Sequence, residues 1–403
     1  MPNLIIARQP IFDSTLDVVG YELLYRSQPA DGSSLPTQDP AQVKIVLDQI
    51  AAFGLEKLVG PKKAFVDTCQ DFLASQSPIP LPAANVVLEV TTDAAADEAA
   101  LDILAGLSQQ GFKIALQKLV SVNKASKLLG LAHIVKIDLS NLDRMHLTDT
   151  LSRLKLHRVK LLANRVETLD DLAFCQRVGF DFYQGYFLCK PRLSQGKRLD
   201  ASRGVVMRSL AQIQDSSSDF QSLAKIISQD VSLSYKLLRL VNSAYYSLSK
   251  TITSLEQAVA LIGLNPLRVW MTLILMASVR NKPYELTTLA LARAKTCELL
   301  AQAAGERQTD SYFLVGLFSI LDALMDLPMQ EAVTALPLAD DIIEALVHQR
   351  GKLGEVLRLS MTYERGLWDY LPRGRGSLTL EVVGAAYLEA VRWTTETLQA
   401  MNG

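Results

Sequence analysis

Up to the stretch Phe182-Tyr-Gln-Gly-Tyr-Phe-Leu-Cys-Lys-Pro191, short β-branched or apolar runs alternate with helix-length amphipathic segments. Beyond it no strand signal recurs, and helix follows helix. That switch limits the fold more than any other feature. Strands separated by helices pair in parallel, and seven or eight of them can close into a barrel, whereas the second half can only bundle. The fold class is therefore α/β plus all-α. A chain of 403 residues can bury two such cores. The expected divisions are a barrel domain over 1–192, a linker over 193–203 and a helical domain over 204–403.

The barrel half opens with Ile5–Phe12 and Val18–Tyr25 flanking Asp13–Asp17, a hairpin with a five-residue turn. A polar loop from Ser27 to Asp39 leads to a helix over Pro40–Phe53. Short strands are expected at Ala64–Asp67, Asn85–Val90, Lys113–Leu116, Ile134–Asp138 and Lys160–Ala163, with an Ala-rich helix from Asp97 to Gln110 stopped by Gly111. The stretch from Phe182 reads as the last strand with a Pro-marked exit.

With 41 basic and 42 acidic residues, no global field draws the chain to nucleic acid or an anionic membrane. The charge is uneven: residues 101–192 carry 14 Lys/Arg against 8 Asp/Glu, so a local positive surface is expected there. The N-terminal residues lack the pattern of a signal peptide. The most apolar run, Val269–Val279, is too short for a bilayer, which needs about 20 residues. Cys69, Cys175, Cys189 and Cys297 form no CxxC pair and read as fillers in a reduced cytoplasm.

Gln9-Pro-Ile, Gly20-Tyr-Glu-Leu-Leu-Tyr-Arg26, Leu88-Glu-Val, Val135-Lys-Ile-Asp138, Ala163-Asn-Arg-Val-Glu-Thr168 and Gln184-Gly-Tyr with Lys190-Pro191 occur in this order. Together they resemble the skeleton of EAL domains, the cyclic di-GMP phosphodiesterases, over about residues 1–192. The resemblance implies a TIM-like (β/α) barrel with one antiparallel strand and divalent cations held by carboxylates. It places metal-ligand carboxylates at Glu22 and Glu89, the catalytic lysine at Lys136 and a late strand-end amide at Gln184. The family's Asn falls on Asp67, its Asp-Asp pair on Gln117-Lys118, and its Glu-Gly on Asn164-Arg165. Leu119–Asn123 lacks the family's Phe-Gly-x-Gly loop. These positions are therefore read as vestigial, with no catalytic residue, no bound metal and no other cofactor; Lys118 and Lys136 would pair with Glu22 and Glu89. The same resemblance puts a phosphate-contacting arginine at Arg26 and a base-contacting residue at Gln9. With Lys136 and Gln184 these form the candidate set for holding cyclic di-GMP without metal, and Lys118 and Arg165 would add cations.

After the linker, helices are expected at Arg203–Gln214, Phe220–Ser228 and Val231–Val241. A capping box at Thr253-Ser-Leu-Glu256 opens the next helix, to Ile262. Leu223–Asp230, Leu238–Tyr246, Ile252–Ala258 and Leu261–Asn265 are similar to HDOD domains, helical relatives of the HD metal-dependent phosphohydrolases. Hydrolysis there needs a His-Asp pair and further histidines. The chain has only His133, His146, His157 and His348, and Ser319-Ile320 stands where the pair would fall. Asn242-Ser243 is read as a helix end satisfying loop backbone, Asp340-Asp341 as an N-cap, and Trp270, Trp368 and Trp393 as core.

The whole chain resembles the two-domain EAL–HDOD signalling proteins of bacteria (the YuxH-like group). With the site positions lost, the expected role is a non-catalytic cytoplasmic adaptor, and the resemblance implies that it acts in cyclic di-GMP or motility-related regulation. Its partners would be other signalling proteins, with homodimer formation open and no nucleic acid or membrane. The alternative is a metal-independent cyclic di-GMP-binding effector, and the lowest-ranked a residual phosphodiesterase.

Overall fold

A computed structural model of the chain describes residues 5–26, 40–92, 98–118, 122, 125–141, 144–190, 201–228, 231–242, 252, 254–279, 282–371 and 377–402. The chain divides into two compact units, the first ending at Phe187 and also taking in Glu364–Gly366, the second comprising Leu188–Tyr363 and Leu367–Gly403. The polar loop Ser27–Asp39 and most of the expected linker lie outside the described residues. The first helix after the linker begins at Ala201, two residues earlier than the sequence suggests.

In the first unit eight strands close into a barrel in sequence order. They are β1 (Ile5–Phe12), β2 (Val18–Arg26), β3 (Lys63–Asp67), β4 (Val86–Thr91), β5 (Lys113–Gln117), β6 (Ile134–Asp138), β7 (Lys160–Asn164) and β8 (Phe182–Gln184). β1 is antiparallel to both neighbours and every other pairing is parallel. β8 is shorter than expected, and the exit is a 3-10 turn, Tyr186–Cys189. Gly185 ends the strand because the backbone of Val166 crosses there; a Cβ at Gly185 would stand 2.0 Å from the Val166 carbonyl oxygen.

The register sorts the inward-facing residues into layers taken from alternate strands, the filling rule of such barrels. Ile11, Phe65, Ala115 and Leu162 come from odd strands; Val87 and Ile134, from even strands, complete the buried cluster, with Phe182 packed against it. One layer toward the C-terminal ends come Glu22, Glu89, Lys136 and Gln184, on β2, β4, β6 and β8. Beyond these lie Gln9, Asp67, Gln117 and Asn164, on β1, β3, β5 and β7. At the opposite end Lys63, Lys113 and Lys160 begin β3, β5 and β7. Every barrel residue singled out for site chemistry, except Arg26, Lys118 and Arg165, belongs to the two layers at the C-terminal mouth.

The second unit, over its described residues, is helical. The helix Tyr284–Ala303 crosses Asp310–Phe318 at Gly316, where a Cβ would come within 2.5 Å of the Ala294 backbone. Trp270, Trp368 and Trp393 are buried on three different elements, and the rings of Trp270 and Trp393 pack 5.9 Å apart. Asn242 does what was expected of it: its amide donates to the carbonyls of Leu238 and Ile252 and accepts from the Ile252 N–H at 2.7 Å. Ser243 lies outside the described residues. Two capping expectations need correction. Ser254 caps Leu255–Ile262, its hydroxyl accepting from the Gln257 N–H, so the cap sits one residue later than the expected Thr253. Asp340 and Asp341 occupy the first turn of Asp340–His348, where their charge favours the helix dipole, and Ala339 holds the cap position. No described helix is long and apolar enough to cross a membrane, and none of the four cysteines is in a disulfide.

Asp326 ties this unit together. Its carboxylate receives Arg203 at 2.7 Å and Lys282 at 2.6 Å, and the groups are mostly shielded from water. Asp326 has φ 55°, a conformation asparagine shares, so Asp326→Asn removes the charge without straining the backbone. The expected loss is about 2 kcal/mol in denaturant unfolding of this unit, because two shielded cations lose their counterion.

Candidate functional site

The C-terminal mouth of the barrel is an ion cluster. The Lys136 Nζ lies 2.7 Å from Glu22 Oε1, and 3.1 and 3.2 Å from the two oxygens of Glu89. Glu89 is fully buried and Lys136 is 4% exposed. Gln184 donates through Nε2 to Gln9 Oε1 at 2.8 Å and to Glu22 Oε2. Its own carbonyl oxygen is buried with no hydrogen-bond partner. In the outer layer, Gln117 Nε2 donates to Asp67 Oδ1 at 2.6 Å. The Asp67 carbonyl accepts from the Tyr25 hydroxyl.

Three acids face one buried ammonium, and the titration behaviour follows. Burial pushes Glu89 up, and repulsion from Glu22 adds to it, so its pKa stands at about 8 despite Lys136. For Glu22 burial also acts upward. Attraction to Lys136, with hydrogen bonds from Lys136, Gln184 and Glu89, outweighs it and holds that carboxyl below its ordinary value. Asp67 is raised to about 6, first by burial and then by Glu22, against the pull of Lys136, Lys118 and Gln117. Burial disfavours the ammonium of Lys136, but Glu89 and Glu22 together raise its pKa. The two glutamates are thus driven apart, Glu22 toward the carboxylate and Glu89 toward the neutral acid, and they titrate as a pair.

The expected network is thus half present. Lys136 bridges the two glutamates, but Lys118 does not, and among the described residues it pairs with neither acid. β5 ends at Gln117, and Lys118 turns into the left-handed region (φ 53°), leaving its side chain exposed. Its carbonyl instead accepts from Thr92 Oγ1. Arg165, in the place of the family's glycine, keeps a glycine-like φ of 60°, and its guanidinium reaches Asp138 and Ser140 outside the cluster. Asn164 turns back to accept from the Arg165 N–H. Arg26 ends β2, and its side chain lies outside what is described.

A pair of divalent cations needs several deprotonated carboxylates converging on it. Here Glu22 and Glu89 share one ammonium, that of Lys136. From the position of an expected metal carboxylate, the Gln117 amide aims an N–H at Asp67. Among the described residues no group of three or more His, Cys, Asp or Glu is placed to hold a metal ion. The donor set does not fit two divalent cations.

In the helical unit, the position of the His-Asp pair carries a cation. Arg293 is 2% exposed; its Nη1 donates to Ser319 Oγ at 2.7 Å, and that hydroxyl donates to the Gly316 carbonyl. Asp322 sits nearby with its carboxyl raised by burial. Arg293 was not singled out in the sequence. The available signal was a lone arginine in the apolar run Leu289-Ala-Leu-Ala-Arg-Ala294.

The EAL domain family matches residues 50–191, and the HDOD domain family residues 199–335. YuxH of Bacillus subtilis, an uncharacterised protein, is 30% identical over 99% of this chain and 100% of its own length. The cyclic di-GMP phosphodiesterase CdgJ of Vibrio cholerae is 30% identical over 97% of this chain and 92% of its own. Among solved structures, the FimX EAL domain of Pseudomonas aeruginosa bound to c-di-GMP aligns with 46% of this chain and 89% of that one, at 20% identity and a TM-score of 0.37.

Proposed function

Because the chain belongs to the two-domain EAL–HDOD proteins, we propose that it is a non-catalytic adaptor in cyclic di-GMP or motility-related signalling, acting on other signalling proteins through its two domains. The observation that carries this reading is the Gln117 amide donating to Asp67 at 2.6 Å, a hydrogen-bond donor where metal chemistry needs an acceptor. CdgJ is named for the opposite property, turnover of cyclic di-GMP. Binding without turnover is less favoured, because two of the four cations expected to meet phosphate are committed elsewhere: Lys136 to Glu22 and Glu89, Arg165 to Asp138.

The test is incubation with cyclic di-GMP and magnesium or manganese, alongside Glu89→Gln. Since burial and Glu22 raise the pKa of Glu89, favouring its neutral form, the amide is a close mimic. We expect no linear dinucleotide, a Tm within about 2 °C of the parent, and full rescue of a deletion phenotype by Glu89→Gln. Turnover that Lys136→Ala abolishes would overturn the proposal. Saturable cyclic di-GMP binding that persists in chelator would replace it with the effector reading.

A further inference from the structure

The N-terminal mouth of the barrel, opposite the ion cluster, holds a second concavity of about 430 Å³. Its floor is apolar: Phe65, Val87 and Ile134 belong to the buried cluster and Phe182 packs against it. Its rim is cationic, made by Lys63, Lys113, Arg158 and Lys160, with His133 between. Barrel interiors are ordinarily filled by branched apolar side chains. Here the last inward positions of β3, β5 and β7 are all lysines, whose ammonium groups stay in water and leave the axis unfilled.

The cations are not equally committed. Lys63 donates to the Ala84 carbonyl, and Lys160 pairs with Asp181 at 2.6 Å. Among the described residues Lys113 and Arg158 make no ion pair. Four cations against one carboxylate, around an opening with low-dielectric walls, focus a positive potential into it. The volume falls within the range of small-molecule sites.

We propose that this mouth is a binding site for a small organic anion, its flat apolar body seated against Phe65 and Phe182 and its carboxylate or phosphate held by Lys113 and Arg158. The site is independent of the proposed function, because none of its residues belongs to the two layers of the C-terminal mouth.

The test uses phenyl phosphate and benzoate, titrated separately into the full chain and followed by ligand-observed NMR. The variants are Lys113→Glu with Arg158→Glu, and Lys127→Glu as a control, a surface lysine outside this pocket. Far-UV circular dichroism and Tm confirm that each variant folds. Saturable binding of at least one probe is expected, weakened about tenfold or more by the double reversal and unchanged in Lys127→Glu. Bound probe should also slow acetylation of Lys113. The phosphate and carboxylate arms distinguish which acid group is preferred. Absence of saturation, affinity that survives the double reversal, or equal weakening in the control would each overturn the site.

Discussion

Replacing Lys136 by methionine is expected to destabilise the barrel unit by about 3–5 kcal/mol at pH 8 and by clearly less at pH 5. Methionine keeps most of the volume, so packing is nearly conserved and the missing charge dominates. Glu22 and Glu89 would then lose the one cation paired with both of them among the described residues. In the unfolded chain both carboxyls ionise near their ordinary value of 4.5. The folded variant would resist that ionisation, so its stability falls as pH rises through and above that value. The parent already has part of this slope. Glu89 and Asp67 are raised, so their contributions are present at low pH and lost as pH rises through about 8 and about 6. Glu22 is lowered and runs the other way, its contribution being lost as pH falls below 4.5. Denaturant unfolding at pH 5, 6.5 and 8 measures both slopes. A loss below about 1 kcal/mol and independent of pH would mean that water screens the cluster, and the electrostatic account of the mouth would fail.

The inner layer of this cluster could be read from sequence because strand residues alternate faces. Once a short apolar run is a barrel strand, an acid or lysine two positions from its buried partner must point inward. Glu89 lies two positions from Val87 and Lys136 two from Ile134, so both follow from the pattern alone. Gln184 follows from Phe182 in the same way. Lys118 could not be placed by that logic. It is the first residue after its strand, and whether it continues the pleat or turns left-handed depends on packing around the strand end, which composition does not encode. Asp326 and Arg293 escaped for a different reason. Their partners are distant in sequence, Arg203 and Lys282 for the one and Ser319 for the other, and helical periodicity reports only contacts within a helix. The length of β8 was hidden because the crossing Val166 backbone, not any residue of the strand, ends it.

Returning carboxylates to the outer layer should convert the mouth into a metal site. In the variant Gln117→Asp, Lys118→Asp, Asn164→Glu, the donor facing Asp67 becomes an acceptor, and the exposed cation beside it becomes an acid. Aspartate tolerates the left-handed backbone at position 118, where φ is 53°, so the exchange adds little strain. Without metal the variant should be less stable than the parent, because six carboxylates would then stand at the mouth with Lys136. Manganese should reverse this, adding about 2.7 kcal/mol once free metal reaches a hundred times its dissociation constant. Titration followed by electron paramagnetic resonance is expected to show manganese binding at least about a hundredfold tighter than in the parent. Parent protein that binds manganese as tightly as the variant would show that charge at this mouth was never limiting. A variant that gains charge but no metal would place the obstacle in the backbone that carries the ligands. Only the expected pattern, apo destabilisation reversed by manganese, follows from a barrel that kept its frame and lost its counter-charge.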